Sequence, residues 1–208
     1  MKKTFLIAFL LVSLVTVGFS QSTKGLARVT KMQGYEVYAL CEPLREYEVV
    51  FDVTTGAKAS SMLTGGVVNE GISDKLSQFV NRAMKEAKEK NQTFDAILYS
   101  GGKKVVAIKF KEAGNEKTKG IAKVNKLEGL EVYVMSEPME DYETIIDVNT
   151  GLKAKSYLSG GLVNNSIEED MAQYVRRTIR EAEEAKKEKP EAVVYTGGKR
   201  AIGVKLKS

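Results

Sequence analysis

The chain has 208 residues, 43% of them apolar, with 32 basic and 27 acidic side chains, one cysteine and no histidine. The missing histidine excludes Ser-His-Asp and Cys-His nucleophiles and His-ligated metal sites, and the lone Cys41 leaves no intrachain disulfide. The net charge of +5 includes Lys2 and Lys3, and the remaining charge alternates in sign along the chain; this is a solvated surface without the basic cluster that nucleic acid requires.

Residues 1–20 read as a signal peptide. Lys2 and Lys3 precede an uncharged apolar run from Thr4 to Gly18, and Gly18 and Ser20 are small residues suited to a cut before Gln21. The apolar run is about 15 residues long, where a membrane span needs about 20. The mature chain is therefore expected to be periplasmic or extracellular, with no stable membrane span after cleavage. A retained anchor is the alternative.

The rest of the chain is one module written twice. Glu46–Gly66 (EYEVVFDVTTGAKASSMLTGG) returns as Asp141–Gly161 (DYETIIDVNTGLKAKSYLSGG), and Lys24-Gly25 aligns with Lys119-Gly120, a separation of 95 residues (119 − 24). Further on, one extra residue in the second copy makes Tyr99 correspond to Tyr195. This period is the size of a small domain, not of a solenoid unit. The expected organisation is a first α+β repeat over 24–112, a polar linker over 113–118 and a second repeat over 119–208. A linker this short allows the copies to dock as a pseudo-dimer without demanding it.

Within the first copy, Leu26–Met32 and Tyr35–Leu40 read as strands joined by a Gln33-Gly34 turn, and Glu42-Pro43 should break the pairing. Tyr47–Val53 is the next strand. Period-2 alternation places Val49, Phe51 and Val53 on one face and Glu48, Val50 and Asp52 on the other. A turn at Thr54-Thr55-Gly56 leads to a return strand, Ala57–Leu63. The helix after it carries Leu76, Phe79, Val80, Ala83, Met84 and Ala87 at helical spacing, with Ser73 as its expected cap. The second helix has Met171, Tyr174, Val175, Ile179 and Ala182, and a capping box from Ser166 and Glu169. Two strands close each copy around Ser100-Gly101-Gly102 or Thr196-Gly197-Gly198. The order β-β-β-β-α-β-β predicts an α+β fold in two tandem copies, one helix packed on one face of an antiparallel or mixed sheet in each.

Several side chains recur at matched places. Glu48 and Asp52, repeated as Glu143 and Asp147, put carboxylates on one strand face, with Tyr47 and Tyr142 beside them and Glu42 and Glu137 nearby. Oxygen ligands of this kind suit a hard cation or acid–base work. The same face also suits simple ion pairs with Lys58 or Lys153. These six residues, Tyr47, Glu48, Asp52, Tyr142, Glu143 and Asp147, are the candidate ligand-binding set. The Gly pairs, with Lys103, Lys104, Lys199 and Arg200 near them, could cradle an anion, although turn geometry accounts for them equally. Tyr38, Tyr47 and Tyr99 recur as Tyr133, Tyr142 and Tyr195 and could line a groove or sit half-buried in strands. Ser61 and Ser156 match but have no visible base. No residues are assigned as catalytic, cofactor-binding or metal-ligating, and no cofactor is expected.

The Ala-rich helix followed by FDAILYS…VVAIKF, or by PEAVVYT…AIGVKL, resembles the end of the YbjQ-like heavy-metal-binding family. That resemblance covers under half of each copy and implies a small α+β module that assembles into rings. The whole chain resembles secreted tandem-repeat proteins of Bacteroidota, in which FSQ-type signal ends are common, and this implies a compartment but no activity. The expectation is an exported, non-catalytic tandem protein that binds or assembles in the cell envelope, with a protein or envelope component, or further copies of itself, as partner. An envelope enzyme with a carboxylate-based site and a metal-handling protein are the alternatives.

Overall fold

The computed structural model describes residues 23–53, 71–102, 104–111, 116–149, 166–198 and 200–207. The expected leader, the return strand Ala57–Leu63, part of the linker, and Lys58, Ser61, Lys103, Lys153, Ser156 and Lys199 lie outside the described residues. The first copy contributes β1 (Leu26–Val29), β2 (Lys31–Met32), β3 (Tyr35–Ala39), β4 (Cys41–Pro43), β5 (Tyr47–Val53), α1 (Ile72–Lys90), β6 (Ala96–Gly101) and β7 (Lys104–Phe110). After a 3-10 turn at Glu116–Thr118, the second copy repeats the series as β8 (Ile121–Val124), β9 (Lys126–Leu127), β10 (Leu130–Val134), β11 (Ser136–Pro138), β12 (Tyr142–Asn149), α2 (Ile167–Glu184), β13 (Ala192–Tyr195) and β14 (Arg200–Leu206).

The fold is α+β, and strands of the two copies share both of its sheets. Among the described residues, a ten-stranded mixed sheet runs β12-β14-β13-β10-β3-β6-β7-β5, with β2 and β9 paired to β3 and β10. A four-stranded antiparallel sheet runs β11-β1-β8-β4, so strands of one copy alternate in pairing with strands of the other. Ala27 on β1 pairs with Ala122 on β8, its own counterpart. Ala39 on β3 pairs likewise with its counterpart Val134 on β10. Two residues that face their own equivalents mark a local twofold axis, the arrangement of an isologous dimer within one chain.

The device that moves each chain segment from one sheet to the other is a single residue in the left-handed region. Leu40 (φ 54°) follows β3 and Met135 (φ 51°) follows β10. The Leu40 N–H donates to the Tyr99 carbonyl in the large sheet, while its own carbonyl accepts from Asn125 N–H of the other copy. A non-glycine residue held there costs about 1–3 kcal/mol and persists only where its surroundings fix it. The expected break at Glu42-Pro43 is corrected: Cys41–Pro43 forms a short strand at the border of the small sheet, where a terminal proline forfeits no ladder bond.

Alternation along the strands separates two cores. Val37 and Ala39 of β3 face the helices, with Leu76, Val80 and Ala83 of α1 and Met171 and Val175 of α2. Tyr38 faces the small sheet, with Ala27, Cys41, Leu98, Ala122, Val124 and Tyr133. The molecule is thus layered as helices, large sheet and small sheet. Both helices lie on one face of the large sheet and touch near their first turns, where Lys75 meets its own counterpart Asp170 at 2.6 Å. Each fully buried Leu, Ile or Met contributes about 1.5–3 kcal/mol, several times the value of a partly exposed ion pair. The apolar stripes therefore hold the helices down, and the ion pair adds direction.

Ser166 and Glu169 form the expected capping box of α2. The expected Ser73 cap of α1 is corrected to Gly71, whose N–H donates to Asp74 Oδ2 at 3.1 Å. Ser73 instead lies beside the Tyr195 hydroxyl of the other copy, next to Gly71. The relation is mutual, because Glu168 N–H at the start of α2 donates to the Tyr99 hydroxyl at 3.4 Å.

The copies differ at one compensated contact. A Cβ on Gly203 of β14 would lie 2.5 Å from Thr178 Cγ2 and 2.9 Å from Ile146 Cγ2. The first copy has Ala107 and Ala83 at the places of Gly203 and Thr178. Gly203→Ala should therefore cost about 1–3 kcal/mol through overpacking. Adding Thr178→Ala should return about 1 kcal/mol of that loss, read as a positive coupling in a urea-denaturation double-mutant cycle.

Candidate functional site

The six candidate residues lie on β5 and β12, at opposite ends of the large sheet as the described residues form it. The expectation that Glu48 and Asp52 share a face is corrected. A β-bulge between Val49 and Phe51 inserts Val50, and its equivalent lies between Thr144 and Ile146. An extra residue inverts the alternation beyond it. Asp52 pairs with Val106, whose side chain faces the small sheet, whereas Glu48 pairs with Lys109, next in line to the inward-facing Ile108 and Phe110. The two carboxylates thus point to opposite faces, and Glu143 and Asp147 do the same. All four are exposed.

Four of the candidates have ordinary neighbours. The Tyr47 hydroxyl donates to Glu42 Oε2 at 3.1 Å, and burial together with Glu42 pushes its pKa up. Asp147 pairs with Arg200 across the β12–β14 ladder, and Glu143 stands opposite Lys205. Tyr142 is half-buried against the small-sheet core. Among the described residues, no group of three or more His, Cys, Asp or Glu side chains is placed to hold a metal ion. The Gly pairs form turns in which Tyr99 and Tyr195 donate to the Gly102 and Gly198 carbonyls, both at 3.0 Å. Gly102 N–H donates in turn to Glu168 Oε2 at 3.1 Å, so this turn is closed by the chain's own carboxylate.

The most polar buried arrangement lies elsewhere, on the face of the large sheet turned toward the small one. Glu36 on β3 is 5% exposed and its counterpart Glu131 on β10 is 6% exposed. Tyr38 donates to Glu36 Oε2 at 2.6 Å, and Tyr133 donates to Glu131 Oε2 at 2.8 Å. Burial, reinforced by these carboxylates, drives both phenols far above the usual tyrosine pKa. In the first copy Arg45 Nη2 reaches Glu36 Oε2 at 3.2 Å, and its guanidinium lies over the Phe110 ring, 3.5 Å from the centroid. In the second copy Glu140 takes the place of Arg45 and Leu206 that of Phe110. The sequence signal for this pair is the repeated Glu-Val-Tyr of 36–38 and 131–133, a carboxylate inside an apolar strand.

Cys41 and its counterpart Ser136 are both buried. Burial pushes the Cys41 thiol up to about 12, which keeps it protonated and unreactive at neutral pH. Ser136 Oγ is buried without a hydrogen-bond partner.

No protein-family model matches the chain, and no curated protein or solved structure matches it either.

Two stability outcomes are expected from the matched pairs. Glu36→Gln strips the Arg45 guanidinium of its counter-charge and should cost about 2–4 kcal/mol in urea denaturation, whereas Glu131→Gln should cost less than about 1 kcal/mol or stabilise. Ser136→Ala removes a buried hydroxyl that has no partner and should raise stability by about 1 kcal/mol, measured in the same way.

Proposed function

We propose that the chain is an exported, non-catalytic protein that binds or assembles with another component of the cell envelope. The observation that carries this reading is the use of the matched polar residues. Glu36, Arg45 and Tyr38 pair with one another, and Tyr99 and Tyr195 each reach the helix start of the opposite copy. These groups build a rigid body from two halves, which suits a binding scaffold better than a reacting centre. An envelope enzyme built on Glu48 and Asp52 has less support, because convergent carboxylates are the minimum geometry for acid–base work and these two diverge. Among the described residues, no helix is long and apolar enough to cross a membrane.

Intact-mass analysis of the exported protein should find Gln21 as its first residue. Sedimentation equilibrium should then show self-association, or a component captured from envelope extract should rebind the pure protein after separate purification. A strict monomer that rebinds nothing would sink the proposal.

A further inference from the structure

We propose that the second copy carries a receptor site for a guanidinium group, formed by Glu131, Tyr133 and Glu140, in the place where the first copy holds its own Arg45. The inference rests on the proposed binding role and names the ligand chemistry.

The first copy supplies the internal comparison. There a buried glutamate, which also accepts from the tyrosine two residues on, holds a guanidinium at 3.2 Å, and an aromatic ring supports it from one side. The second copy reproduces the carboxylate, the tyrosine and the hydrogen bond between them. It also reproduces the backbone, because β10 pairs in parallel with β13 as β3 does with β6. Where the first copy places a cation, the second places the carboxylate of Glu140. Glu140 lies close enough to Tyr133 for its charge to act on the phenol.

The second observation is the state of Glu131 itself. It is 6% exposed, its Oε2 accepts from Tyr133, and among the described residues it forms no ion pair. A buried carboxylate without a counter-charge is costly, and the Glu140 charge that reaches the neighbouring Tyr133 adds negative potential there. Both effects favour uptake of a cation. A guanidinium suits the site better than an ammonium, because its planar fork can serve two carboxylates at once and it sheds water more readily. Leu206, in place of Phe110, offers an apolar side against which the flat group can lie. A free guanidino compound and an arginine side chain of a polypeptide share this chemistry.

The full mature chain, labelled with nitrogen-15, would be titrated with ethylguanidinium, with arginine amide, with a blocked Gly-Arg-Gly peptide and with ethylammonium. Saturable shifts at amides 131–133 and 140 are expected with the guanidinium probes, at least about tenfold weaker with ethylammonium. A tighter peptide than free probe identifies an arginine side chain as the source, and equal affinities identify a free compound; either upholds the site. Glu140→Arg should occupy the site from within, abolish the shifts and raise the melting temperature, as Arg45 does for Glu36. Glu140→Gln should weaken binding without filling the site. The proposal fails if no guanidinium probe saturates by about 50 mM, or if Glu140→Arg binds as well as the parent. A captured partner that still rebinds when the guanidinium titration is silent removes this site and leaves the binding role standing.

Discussion

The pairing of Ala27 with Ala122 fixes the rest of the molecule. A short strand whose backbone is buried must find a neighbour for its N–H and C=O groups. In this chain β1 finds both of its neighbours in the other copy, since β8 and β11 flank it. The reverse holds for β8, which lies between β1 and β4. Neither half can complete its small sheet alone, so the second core, beneath the large sheet, exists only when both halves are present. Small modules bury too little surface to be stable by themselves, and here the exchange of strands supplies the missing area.

A local twofold axis also constrains the side chains on it. In a dimer of identical chains Lys75 would face another Lys75 and lose energy to repulsion. A tandem chain escapes that rule, because each copy has its own codon at each place. Lys75 opposite Asp170 is one result. The Ala83–Ala107 and Thr178–Gly203 alternatives are another, with volume moved from strand to helix. The same freedom separates the two buried glutamates: Glu36 keeps an arginine of its own, whereas the second copy has Glu140 at the place of that arginine. Internal duplication thus makes two chemically different environments from one backbone.

The likeness between copies extends to backbone strain. Gln33 and Glu128, Leu40 and Met135, and Asn91 and Lys186 all adopt positive φ at matched places. Residue type does not explain this, since leucine, methionine and lysine have no special ease there. The conformation is imposed by what lies on either side: a tight turn between two paired strands, a strand that must leave one sheet for another, or a helix that must stop before the next strand. Conservation of geometry with change of residue indicates that the path of the chain, more than local preference, sets these turns.

The duplication, the α+β class, the helix stripes and the capping box at Ser166 were legible in the residues alone, because each depends on local pattern: a repeated string, a 3.6-residue period, a cap three positions before its partner. Which strand pairs with which depends on contacts across the whole chain, and only the tertiary structure decided it. The single inserted residue at Val50 shows the limit most clearly. Alternation predicts one shared face for Glu48 and Asp52, yet one bulge sends them to opposite sides, and nothing in the residue order distinguishes a bulged strand from a regular one. The Glu-Val-Tyr triplets were visible as text, but their burial was not, because a carboxylate enters a core only where a distant Arg45 or a neighbouring tyrosine stabilises it, and that proximity is a property of the folded chain.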